Sequence, residues 1–151
     1  MRKNSQLDQT DHKMLKILTH DGRIAVTELA KKLGMSKTPC SVRLKRLIND
    51  KFILGFKAVI NPVKLDLSHI AFVEVKLHDT TETALCAFNE AVQHISEIEQ
   101  CHMIAGPFDY LLKVRTKDIS AYRRVLGEQI SALPHVASSS TYVTMQTVKE
   151  N

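Results

Sequence analysis

Residues 26–49 read VTELAKKLGMSKTPCSVRLKRLIN, two helical stretches separated by a single glycine. The first fits a helix from Val26 to Leu33, with Thr27 as its N-cap just before Glu28, and with Leu29, Ala30 and Leu33 facing inward. Gly34 follows at once, where a left-handed residue turns the chain without a Cβ clash. Ser36 then caps a third helix running to about Asn49. Helix, glycine turn, helix is the spacing that presents a second helix to the DNA major groove.

On a wheel of 100° per residue, Cys40, Leu44, Leu47 and Ile48 fall in one stripe that must pack on neighbouring helices. Thr38, Pro39, Val42, Lys45 and Arg46 then point away from it. Such a face meets base edges and thymine methyls with Thr and Val, and phosphates with its cations. Ser36 and Lys37 sit at the helix N-terminus, where backbone N–H groups and the dipole favour a phosphate. Arg43 lies near the edge of the apolar stripe, which leaves open either a backbone contact or pairing within the chain.

Working toward the N-terminus, Leu7-Asp8 opens a stretch in which Met14, Leu15, Ile17 and Leu18 form a helical stripe; Asp8 or Thr10 caps its start and Asp21-Gly22 stops it. Working the other way, KFILGFKAVINP places Ile53, Phe56, Ala58 and Ile60 in a β-like stretch closed by the turn pair Asn61-Pro62. We expect a linker here that adds a strand. Charge divides the chain at the same place. Residues 1–60 hold 13 Lys and Arg against 5 Asp and Glu, or +8, whereas residues 61–151 hold 8 against 11, or −3. A basic module joined to a slightly acidic one points to a polyanion partner for the first.

Beyond the linker, Ile70–Leu77 is strand-like and residues 80–95 carry Leu85, Phe88, Val92 and Ile95 at helical spacing, with Thr80 or Thr81 as cap. Ile98–Ala105 and Tyr110–Arg115 are two strands around the turn pair Gly106-Pro107. Asp118 or Ser120 starts a helix with Tyr122, Val125, Leu126, Ile130 and Leu133 inward, and Leu133-Pro134 ends it. Val136–Val148 supplies a long last strand. The order is βαββαβ, the ferredoxin-like arrangement, with helices on one face of the sheet. Ala71, Val73, Val75 and Leu77 share one face of the first strand while Ile70 and Phe72 share the other, so the open side is expected to pack on a second copy.

The fold class is therefore α+β: a helix-turn-helix domain over residues 1–52, a linker over 53–68 and a ferredoxin-like domain over 69–151. In a chain of 151 residues, 44% hydrophobic and 25% charged, no apolar run approaches the ~20 residues of a membrane helix. The N-terminus lacks the apolar core of a secretory signal, and Cys40, Cys86 and Cys101 form no C-x-x-C pair, so reduced thiols and a cytoplasmic location are expected. No phosphate-loop, dinucleotide, nucleophile-elbow or H-E-x-x-H motif occurs. Cys101-His102 are adjacent on a strand, so they face opposite sides and cannot act as nucleophile and base together; His94 with either leaves a metal site short of ligands. We expect no metal, no cofactor and no catalytic residues.

Together these residues resemble the Lrp/AsnC (leucine-responsive/asparagine regulator) family. The resemblance rests on Leu7-Asp8-x-x-Asp11, Asp21-Gly22-Arg23, Leu29-Ala30, Leu33-Gly34-Met35-Ser36-x-Thr38-Pro39-Cys40, Arg43-x-x-Arg46-Leu47 and Gly106-Pro107-Phe108-Asp109-Tyr110-Leu111-Leu112-Lys113. It implies a sequence-specific transcription regulator of double-stranded DNA that forms homodimers, which often assemble into octamers, with an amino-acid effector held between C-terminal domains. Carried across, the effector loop is Gly106, Pro107, Phe108, Asp109 and Tyr110, in which backbone N–H groups suit a carboxylate and Asp109 suits an α-ammonium. An effector-independent architectural DNA binder is one alternative. The enzymatic rival is a siroheme-decarboxylase-like protein of similar architecture, against which the basic first half argues. The chain departs from the family at Lys51, where glycine commonly precedes Phe52-Ile53.

Overall fold

The computed structural model describes residues 7–150. The chain divides into two units, Met1–Ile60 and Asn61–Asn151.

The first unit holds α1 (Gln9–His20), α2 (Val26–Lys32) and α3 (Lys37–Asn49). Asp8 caps α1 through a reciprocal box: its carboxylate accepts from the Asp11 N–H at 2.8 Å, and the Asp11 carboxylate accepts from the Asp8 N–H at 3.0 Å. The α2 cap is Ala25, which has no side-chain acceptor; Thr27 lies inside the first turn instead, a correction to the expected cap. Gly34 turns the chain at φ 66°, and the Met35 N–H returns to the Ala30 carbonyl at 3.0 Å. Ser36 occupies the N-cap position of α3, but its hydroxyl makes no capping bond. Met14, Leu29, Ala30, Cys40, Leu47 and Ile53 form the core, with Leu44 packed beside it. Ile48, assigned to that stripe on the wheel, is 37% exposed because the helix ends within one residue of it.

The expected linker strand does not form. Residues 54–61 carry no strand or helix, and Leu54, Val59 and Ile60 lie open to solvent. A β-like sequence needs a partner edge, and among the described residues this stretch is paired with none. A single turn of 3₁₀ helix, Val63–Leu65, leads into the second unit.

There β1 (His69–Leu77), α4 (Glu82–Val92), β2 (Ile98–Met103), β3 (Tyr110–Thr116), α5 (Ile119–Arg124) and β4 (Val136–Val143) follow in the expected order. Thr81 caps α4 and Asp118 caps α5. All pairings are antiparallel in the spatial order β2-β3-β1-β4, with Val73 opposite Leu112 on one side and Thr141 on the other. Alternation sends Ala71, Val73, Val75, Leu112 and Val114 onto Phe88, Val92, Tyr122, Val125 and Ile130 of the helices. Burying Phe88 alone contributes about 2–3 kcal/mol.

Three details differ from expectation. α5 widens into a π-helical turn over Val125–Ile130 around Gly127. β2 stops at Met103, short of Ala105. β4 stops at Val143, not Val148: Val143 pairs with Ala71, the Thr144 N–H reaches the Ile70 carbonyl, and β1 has only one residue left to offer. The residues beyond turn over the outer sheet face, where Glu150 pairs with Arg115 and Lys113, and Ile70 is buried although it lies on that face.

Candidate nucleic-acid interface

α3 owes its position to α1 and α2, on which Cys40 and Leu47 are wholly buried. That seating leaves Ser36, Lys37, Thr38, Pro39, Val42 and Lys45 exposed, Val42 at 63%. Among the described residues neither Lys37 nor Lys45 has an ion-pair partner. The face thus offers an apolar β-branched side chain, a threonine and two unneutralised cations, beside the N-terminus of a 13-residue helix.

The two arginines behave differently. Arg43 donates to the Asp11 carboxylate at 2.8 Å and to Asp8 at 2.5 Å, so of its two open roles the structure takes the intramolecular one. Arg46, read as pointing outward, is corrected: one terminal nitrogen donates to the second Asp11 oxygen, and its side chain is only 40% exposed. The wheel placed Arg46 off the apolar stripe but said nothing of what approached it from α1. Asp11 is wholly buried. Burial by itself raises a carboxyl pKa, but the hydrogen bonds from Arg43, the Asp8 N–H and Arg46 outweigh it and hold Asp11 at about 2. Asp8 is lowered by the Asp11 N–H and by Arg43, and Arg43 is raised chiefly by Asp11. Asp8 and Asp11 are the participants that the sequence reading missed. From sequence, Asp8 is only one of two candidate caps, beside Thr10, and Asp11 only a member of the Leu7-Asp8-x-x-Asp11 stretch.

α3 closes on Lys51, which takes φ 64°, with the Phe52 N–H returning to the Leu47 carbonyl at 2.9 Å. This is a left-handed C-terminal cap, so the position at which glycine was expected is one whose backbone favours glycine.

The other set of candidate residues forms the β2–β3 connection. Gly106 and Pro107 are exposed and Phe108 is half-buried. Asp109 is already engaged: its carboxylate accepts from the Leu77 N–H at 2.8 Å and from Lys76 Nζ at 3.2 Å, and its own N–H reaches the Val75 carbonyl at 2.9 Å. The Leu77 N–H, then Lys76, hold its carboxyl below the usual range. The expectation that Asp109 is poised for an ammonium group is corrected, because β1 supplies its partners. Tyr110 is corrected too. It is 1% exposed, stacks on Phe88 with ring centroids 4.2 Å apart and donates to Asn89 Oδ1 at 2.8 Å, as a core residue.

With this geometry in view, two family models match. Residues 7–53 match a winged helix-turn-helix DNA-binding model, and residues 70–151 match the Lrp/AsnC ligand binding domain. The chain belongs to the Lrp/AsnC family. A member of that family, it is a transcriptional regulator with an N-terminal helix-turn-helix and a C-terminal α+β domain. It is 62% identical over 148 residues to a proline dehydrogenase transcriptional activator from Rhizobium radiobacter, covering 98% of this chain and 95% of that one. An AsnC family transcriptional regulator from Agrobacterium tumefaciens has the same fold at a TM-score of 0.90, with 32% identity over 95% of this chain and 94% of its own. A transcriptional regulator from Neisseria meningitidis, solved as a complex with L-Met, matches at 0.89 with 26% identity over 96% and 94%.

Proposed function

We propose that this Lrp/AsnC regulator reads duplex DNA with the exposed face of α3, acts as a homodimer or a larger even assembly, and answers to an amino acid. The observation that carries the DNA reading is that face: Thr38 and Val42 for base edges, Lys37 and Lys45 for phosphates, on a unit of net charge +8. Two-fold pairing would set recognition helices in major grooves about 34 Å apart or a multiple of that. The N. meningitidis regulator solved with L-Met supports an amino-acid effector, and the R. radiobacter activator points to proline and a proline-catabolic promoter as the first pair to test. Gly106, Pro107 and Phe108 are the loop members open to such a ligand, with Asp109 and Tyr110 shaping the loop from behind.

We read the chain as a regulator acting in the cytoplasm, where its DNA is, and not as an enzyme. Burial raises the Cys101 thiol pKa, which opposes a nucleophilic thiolate, and the relative named above is a transcriptional activator. The test is a fluorescence-anisotropy titration of a duplex that the protein enriches from a randomised pool, across a salt series, with and without proline, leucine and methionine. Sequence-preferring binding that falls steeply with salt, and shifts with one amino acid, is the expected result. No binding at low salt would overturn the reading and favour the decarboxylase-like alternative.

A further inference from the structure

Two aspartates at the start of α1 face two arginines on α3, a pairing that links the first turn of the domain to the helix proposed to read DNA. Asp11 is wholly buried and takes one guanidinium on each oxygen; Asp8, half-exposed at its side chain, accepts from the same terminal nitrogen of Arg43 that Asp11 does. The four charges cancel. Fixing the seat of α3 does not require two cations at its centre, since Cys40 and Leu47 already bury its apolar stripe. The pairing is also incomplete as a stabilising device, because the Arg46 Nε–H is buried without a partner.

We propose that Asp11, assisted by Asp8, is a specificity-determining positioning residue: it neutralises and immobilises Arg43 and Arg46, so that they do not bind phosphates indiscriminately. This deepens the DNA reading above and rests on it. Contacts to phosphate carry no sequence information, and each neutralised phosphate releases a counterion whatever the base. An unrestrained guanidinium on this surface would therefore raise affinity for every duplex alike. With both arginines held by Asp11, the mobile cations of the face reduce to Lys37 and Lys45, and a larger share of binding falls to Thr38 and Val42. The lowered carboxyl pKa of Asp11 agrees with this geometry, since the carboxylate stays charged across the physiological range.

The experiment compares full-length wild type, Asp11→Asn and Asp8→Asn by anisotropy on two duplexes, the one enriched by wild type and a scrambled version, each over a salt series. For Asp11→Asn we expect several-fold tighter binding to the scrambled duplex. The salt slope should steepen by about one to two, as one or two more phosphates are neutralised, and the ratio of specific to scrambled affinity should fall roughly tenfold. Asp8→Asn removes the charge of one of the two carboxylates on that Arg43 nitrogen, leaves Arg46 paired, and should move each quantity in the same direction by less. A residue that merely held the fold would weaken both duplexes in parallel and leave the slope unchanged, and that result overturns the proposal. If circular dichroism shows Asp11→Asn unfolded, the Asp8→Asn slope and ratio decide by the same criteria. If wild type binds neither duplex, the DNA reading fails, and this inference fails with it.

Discussion

Lys51 holds a left-handed backbone, φ 64°, at the end of α3. A side chain there costs roughly 1–2 kcal/mol, offset in part by the greater freedom of glycine in the unfolded chain. Lys51→Gly should therefore stabilise the first unit by up to about 1 kcal/mol, read as a higher urea midpoint; a lower midpoint would show that the lysine side chain contributes something the backbone argument omits. Asp11 gives a second prediction at this scale. Its folded pKa, about 2, lies below the ordinary 3.8, so its contribution is present above pH 4 and is lost as pH falls from about 4 through 2. The span corresponds to about 2 kcal/mol for this buried group. Since other carboxyls are also lowered, the measurement is the difference between wild type and Asp11→Asn in urea unfolding at pH 6 and pH 2.5. Wild type should lose more than the variant, and equal losses would refute the assignment.

Among elements, the β2–β3 connection shows what local reading captures. Gly106-Pro107 marked the turn, and the strands on either side are present. The role of Asp109 was out of reach, because its partners Leu77 and Lys76 lie more than 30 residues earlier in the chain. Asp109→Ala should strip the buried Leu77 N–H of its acceptor and destabilise the protein by about 1–3 kcal/mol. Thermal unfolding of the full chain would show it, and an unchanged transition would mean that water replaces the carboxylate. The linker and the end of β4 taught the reverse lesson. Both carry the apolar and β-branched residues of a strand. Neither is strand, because one has no partner edge and the other outruns its partner.

Among the described residues, apolar surface stays open on the sheet and on the linker as well as on α3. Phe72, Tyr142 and Val143 lie exposed on the outer sheet face and its edge, as do Leu54, Val59 and Ile60 on the linker. Surface of this kind is covered in oligomers more often than left in water. We therefore expect light scattering coupled to gel filtration to give a mass of twice 17.0 kDa or an even multiple, while a monomer at micromolar concentration would remove the dimer from the proposed function. The division of charge between the halves was countable from the sequence and set the first unit apart as the DNA-facing one.

The sequence alone determined the order of helices and strands within each domain, the glycine turn before α3, the cap of α1, α4 and α5 to within a pair of candidate residues, and the outward direction of Thr38, Pro39, Val42 and Lys45. Periodicity, capping and turn chemistry act over a few residues, so each is written where it operates. Only the tertiary structure decided that Arg43 and Arg46 face Asp11, that Tyr110 belongs to the core, that Asp109 ties β3 to β1 and that the linker stays unpaired. Each depends on which distant groups arrive alongside. A wheel or an alternation pattern gives the direction of a side chain, whereas its partner is fixed by the packing of elements far apart in the chain.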